Sequence, residues 1–117
     1  MLAVIALLLI GDTVNGQDQA EVGRLVSQAV DLEKAERFSE AIATYNRAAD
    51  LAARLFGANH VNVGMLSETS GRLYKRLGQY VEAEKRLEKA LAVYEQGTDR
   101  GLIATGVNSL EIGRAHV

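Results

Sequence analysis

Lys75 and Arg76 follow Arg72 at spacings of three and four. On a helix those spacings place all three cations on one face, where their N–H groups would suit a partner's carboxylates. Glu68 precedes Arg72 by one turn and is placed to pair with it. Other reactive side chains are sparse. His60 and His116 are the only histidines and there is no cysteine, so thiolate chemistry and a disulfide framework are excluded. No cluster has metal-ligand spacing. No phosphate-cradling G-x-x-x-x-G-K-[ST] loop and no G-x-S-x-G nucleophile turn occurs. A lone histidine in a loop, such as His60, reads as a capping or surface residue. Glu82 with Arg86, and Lys85 with Glu88, fit solvated helix faces. No catalytic, cofactor-binding or metal-binding residue is identified, and the expected cofactor set is empty.

The elements that carry these side chains follow from composition. The chain has 117 residues, enough for one small domain. A formal net charge of -2 argues against a nucleic-acid partner, whose phosphates demand a large excess of Lys and Arg. Proline is absent and aromatic residues make up 5%. Alanine, leucine and glutamate are plentiful, and they lose little rotamer freedom in a helix. The expected fold class is all-α.

Leu2 to Ile10 is an unbroken apolar run, too short to span a bilayer as a helix, which takes about 20 residues. It fits the hydrophobic region of a secretory signal peptide, with small residues Val14 and Gly16 ahead of a cleavage point at Gln17. No Lys or Arg precedes the run. Segment 1–16 is therefore expected to be a signal peptide that packs poorly against the rest. The mature protein would be periplasmic or secreted, of bacterial type, with no membrane span. A buried or frayed N-terminal helix is the other reading, and it would leave the protein cytoplasmic.

Two internal segments align without gaps. Ala29 matches Gly71, Leu32 matches Tyr74, Phe38 matches Tyr80, Ala41 matches Ala83, Tyr45 matches Leu87, Ala48 matches Ala90 and Leu51 matches Val93. Inside each copy the apolar residues recur at helical spacing. Each copy breaks once, at Gly78 in the second and near Glu36 and Arg37 in the first. This predicts helices over 19–36, 39–56, 63–77 and 80–96. Each pair would form an antiparallel hairpin, with small residues where the helices cross and bulky ones beside them. Leu32, Phe38, Ala41, Tyr45, Tyr74, Tyr80, Ala83 and Leu87 are expected to be largely buried. One hairpin leaves an apolar side bare, so hairpins must stack, and two repeats should be only marginally stable alone.

The pattern resembles the tetratricopeptide repeat, whose signature runs W-x2-L-G-x2-Y, then A-x3-F, then P. The second copy offers Gly71-x2-Tyr74 and Ala83-x3-Leu87; the first offers Ala29-x2-Leu32 and Ala41-x3-Tyr45. Leu25 and Ser67 stand at the Trp place, Gln28 and Ser70 at the Leu place, and Ala53 and Glu95 at the Pro place. The long period, with Gly57 and His60 between the copies, looks like the kinesin-light-chain type, with Val61 where Pro is usual. The resemblance covers 25–96. It implies stacked hairpins with a right-handed superhelical twist, whose first helices line a concave face that binds peptides or proteins.

A third copy starts after Gly97 and fails at Glu111, where the family needs a small residue. The last seven residues, "EIGRAHV", back-translate to a string that looks like a widely used short-read sequencing adapter. Segment 111–117 is read as a scar, and the chain as a truncated piece of a longer repeat protein.

The resemblance implies a non-enzymatic scaffold for protein–protein interaction. An alternative is the adaptor region of a larger secreted enzyme or signalling protein. On the implied concave face the second copy presents Glu68, Arg72, Lys75 and Arg76. The corresponding places in the first are Val26, Val30, Glu33 and Lys34, a more apolar stretch. Val26, Val30, Glu33, Glu68, Arg72, Lys75 and Arg76 are therefore the candidate partner-binding residues. The expected partner is a protein or peptide with acidic side chains beside an apolar anchor. The plainer reading of the cations is an ordinary solvated stripe, since exposed charge pairs contribute only about 0–1 kcal/mol to folding.

Overall fold

The computed structural model describes the backbone of residues 2–114 and the side chains of 16–112 and 114. Five helices follow in chain order: α1 (Leu2–Lys34), α2 (Phe38–Phe56), α3 (Val61–Arg76), α4 (Tyr80–Glu95) and α5 (Arg100–Arg114). Among the described residues there is no strand. The fold is all-α, a stack of antiparallel hairpins. The three middle helices begin and end within two residues of the expected bounds.

The ends of the chain differ from expectation. Helix α1 starts at Leu2 rather than near residue 19 and passes through Gly16 and Gln17 without a break. No proline interrupts it, and a glycine inside a helix costs only about 1 kcal/mol relative to alanine. The expectation that segment 1–16 packs poorly falls on side chains that lie, up to residue 15, outside the described residues. At the other end, α5 runs through Glu111 to Arg114, past the place where the repeat pattern fails. Asp99 starts this helix, its Oδ1 accepting from the backbone N–H groups of Gly101 (2.9 Å) and Leu102 (3.2 Å). Arg114 closes it with donations to Glu84 and Glu88 of α4, each at 3.3 Å. Ala115, His116 and Val117 lie outside the described residues. Among those described, no helix is long and apolar enough to cross a membrane.

Both hairpin turns are built alike. After α1, the N–H of Glu36 donates to Glu33 and that of Arg37 to Leu32; after α3, Gly78 donates to Lys75 and Gln79 to Tyr74, all at 2.9 Å. This double bond closes the helix end and needs a left-handed residue at the turn. Gly78 meets that need with φ 77°, and Glu36 with φ 61°. Between the hairpins, His60 caps α3, its Nδ1 accepting from the N–H of Asn62 at 3.1 Å. The His60 ring lies 4.9 Å from that of Phe56.

Helices pack in sequence order, α1 on α2, α2 on α3, α3 on α4 and α4 on α5, and α3 also meets α5. Close backbone contact between α1 and α3 is absent among the described residues. The main core joins α1, α2 and α3 through Leu25, Ala29, Tyr45, Ala48, Val63 and Leu73. A second core joins α4 and α5 through Ala90, Val93 and Tyr94. The small residues act as the crossing argument requires. A Cβ on Gly71 would stand 2.8 Å from Leu87 Cγ, and one on Gly64 would stand 2.8 Å from Tyr94 Cε1. Gly106 of α5 meets the other edge of the same Tyr94 ring.

Of the eight residues expected to be largely buried, Ala41, Tyr45, Ala83 and Leu87 are so. Leu32, Phe38, Tyr74 and Tyr80 are only half-buried. They stand at the hairpin tips, where fewer neighbours exist to cover them, and the Arg76 guanidinium lies 4.7 Å over the Phe38 ring. The Tyr74 hydroxyl reaches the middle of α2, where Asn46 Nδ2 donates to it at 3.4 Å.

Candidate functional site

An opening floored by apolar residues lies on the side formed by the first helices of the hairpins, α1, α3 and α5. It is a groove of about 420 Å³. Helix α3 supplies one wall through Thr69, Arg72, Lys75 and Arg76, and α1 supplies Glu33. Ser109 and Ile112 stand on α5, while Leu73, Leu87 and Tyr80 line the remainder. Leu73 and Leu87 are core residues, so the floor of the groove is the surface of the core itself.

Four of the seven sequence-derived candidates, Glu33, Arg72, Lys75 and Arg76, share this groove. The other three lie elsewhere. Val26 and Val30 pack against the main core, because α1 turns its apolar stripe toward α2. Glu68 does not pair with Arg72 as expected. Its Oε2 accepts from Ser109 Oγ at 3.3 Å, tying α3 to α5, while Arg72 Nη2 donates to Thr69 Oγ1 at 3.4 Å. Among the described residues no ion pair engages Arg72, Lys75 or Arg76.

Two buried tyrosines report the field around the groove. Tyr45 donates its hydroxyl to Glu33 Oε1 at 2.9 Å. Burial, then the bond to Glu33 and its charge, push the Tyr45 hydroxyl up to about 12. Burial, then the Glu68 charge, push Tyr94 up to about 12 as well. In both cases the Arg72 guanidinium acts in the opposite sense, so Arg72 stands within electrostatic reach of both rings.

Sequence reasoning did not find Thr69, Ser109 and Ile112. The signal is present in the register that aligns Gly57 with Gly97, which sets Ser109 opposite Thr69 and Ile112 opposite Arg72. It is masked because Ile112 falls in the segment read as a scar. Among the described residues no group of three or more His, Cys, Asp or Glu side chains is placed to hold a metal.

The sequence model of the family described as tetratricopeptide repeat matches residues 25–96. The chain belongs to the tetratricopeptide repeat family. The match spans α2, α3, α4 and the last ten residues of α1, the segments that carry the two aligned copies. Tetratricopeptide repeats are protein–protein interaction scaffolds and generally non-enzymatic, which sets the chemistry expected of the groove: recognition of a protein partner. No curated protein sequence matches the chain.

Proposed function

We propose that this tetratricopeptide scaffold binds a peptide or protein segment in the groove between α1, α3 and α5, and that the segment offers an acidic side chain beside an apolar anchor. One observation carries the reading. Arg72 and Lys75, without an ion pair among the described residues, open onto the same groove as Ile112, which is 47% exposed. Cations on a partly apolar floor hold a carboxylate more tightly than cations in bulk water, because the local dielectric is lower. An apolar side chain of the partner covers Ile112 and removes its surface from water, worth about 25 cal/mol per Å².

The test is a fluorescence-anisotropy titration with a panel of short labelled peptides, acidic-apolar, acidic alone, apolar alone and basic-apolar. Acidic-apolar peptides should bind best, and the double variant Arg72→Ala, Arg76→Ala should weaken them by about tenfold or more. Equal binding by the double variant, with helicity intact by circular dichroism, would move the site off this groove.

A further inference from the structure

Charge in the groove is sorted by wall. The α1 wall carries one carboxylate, Glu33, the α3 wall carries Arg72 and Lys75, and the α5 wall carries Ser109 and Ile112. Glu33 is not free to swing. Tyr45, 4% exposed and fixed in the core, donates to its Oε1 at 2.9 Å. Arg72 is tied back to Thr69 on its own helix at 3.4 Å. The opposite charges therefore face one another across the gap between α1 and α3, and no ion pair spans it among the described residues. A wholly acidic segment would satisfy α3 but set a carboxylate against Glu33, and like charges brought together at an interface are penalised.

We propose that Glu33 is a specificity-determining residue and that the groove selects a segment of mixed charge: a basic residue against α1, an acidic residue against α3 and an apolar residue against Ile112 of α5. This rests on the groove being the partner site. The spacing follows from geometry. Helices α3 and α5 touch, and packed helices stand about 8–10 Å apart. Alternate residues of an extended chain are separated by about 7 Å, so the acidic and apolar residues lie two or three positions apart. Helices α1 and α3 stand apart without close backbone contact among the described residues, so the basic residue lies three or more positions from the acidic one. The competing role for Glu33 is structural, as nothing more than an acceptor for the Tyr45 hydroxyl. Glu33→Gln separates the two, because its carboxamide oxygen still accepts from Tyr45 while the charge is gone.

Two capped peptides serve as probes, with cores Lys-Ala-Ala-Glu-Ala-Leu and Glu-Ala-Ala-Glu-Ala-Leu, each also made in reversed order. Calorimetric titration into the full chain at low ionic strength should show one order of the Lys peptide binding about tenfold more tightly than its Glu counterpart. Glu33→Gln should erase that preference, and Arg72→Gln should weaken both peptides. Equal binding of the two by the unsubstituted chain, a preference that survives Glu33→Gln, or no binding of either peptide, overturns the selectivity claim. If both peptides bind and Arg72→Gln leaves them undiminished, the groove itself is not the site and the broader reading falls with it.

Discussion

At the scale of single residues, the two hairpin turns present the same backbone demand to different side chains. Glu36 and Gly78 close their helices with matching bonds and both have positive φ. A left-handed conformation costs a residue with a Cβ about 1–2 kcal/mol. Glu36→Gly removes that cost and returns part of it through the greater freedom of glycine in the unfolded chain. The net expectation is a gain of about 0.5–1 kcal/mol in urea denaturation; a loss would mean that the Glu36 side chain holds the turn in some other way. The second turn is marked in the sequence by its glycine and the first is obscure, because only the repeat alignment pairs Glu36 with Gly78. The buried tyrosines give a second expectation. Tyr45 and Tyr94 have hydroxyls raised from 10 to about 12. The folded state thus holds these protons more tightly than the unfolded state. The stability this confers is complete below about pH 10 and is lost as pH rises toward about 12. Thermal melts should therefore fall in midpoint across that window, and Tyr45→Phe should shrink the fall. A melt independent of pH there would contradict the burial assigned to these rings.

At the scale of elements, the hairpins are held in register by a polar contact as well as by shape. Ser70 Oγ, on a residue with no exposed surface, donates to Asn46 Oδ1 at 3.0 Å, and Asn46 in turn donates to Tyr74. The contact crosses from α2 to α3, from one repeat to the next. Asn46→Ala leaves the Ser70 hydroxyl without its acceptor and should cost about 1–3 kcal/mol by urea denaturation. A cost below about 0.5 kcal/mol, the usual range for a surface change, would show that shape alone sets the register. Helices α2, α3 and α4 were legible because their apolar residues recur at helical spacing and because glycine or a charged turn separates them. Two elements were not. The extension of α1 to Leu2 was hidden because Leu2 to Ile10 is uniformly apolar, with no period to read, and the polar, glycine-bearing stretch 11–18 after it reads as a break. Helix α5 is obscure beyond Glu111 because the repeat pattern fails there, and that pattern carries no information on where the helix itself ends. The helix continues there with Glu111 exposed and Arg114 gripping two carboxylates of α4.

For the whole molecule, the groove exists because α1 and α3 stand apart while α3 and α5 touch. That geometry sorted the candidate residues. Helical spacing alone identified Arg72, Lys75 and Arg76 as one face, and the repeat alignment carried that face to Glu33. Neither indicated that Val26 and Val30 pack, partly buried, against the core, because their apolar character fits a groove and a core equally well. Ser109 and Ile112 were illegible for a different reason: they reach the groove only through the stacking of α5 on α3. The central claim is that this face, and not the outer face of α2 and α4, receives the partner. An amide chemical-shift titration of the full chain with the acidic-apolar peptide tests it most directly. Shifts should gather on Glu33, Thr69, Arg72, Lys75, Arg76, Ser109 and Ile112, with the exposed outer positions Val81 and Lys85 of α4 unmoved. Shifts centred on Val81 and Lys85, or no saturable shifts at the groove residues, would contradict it.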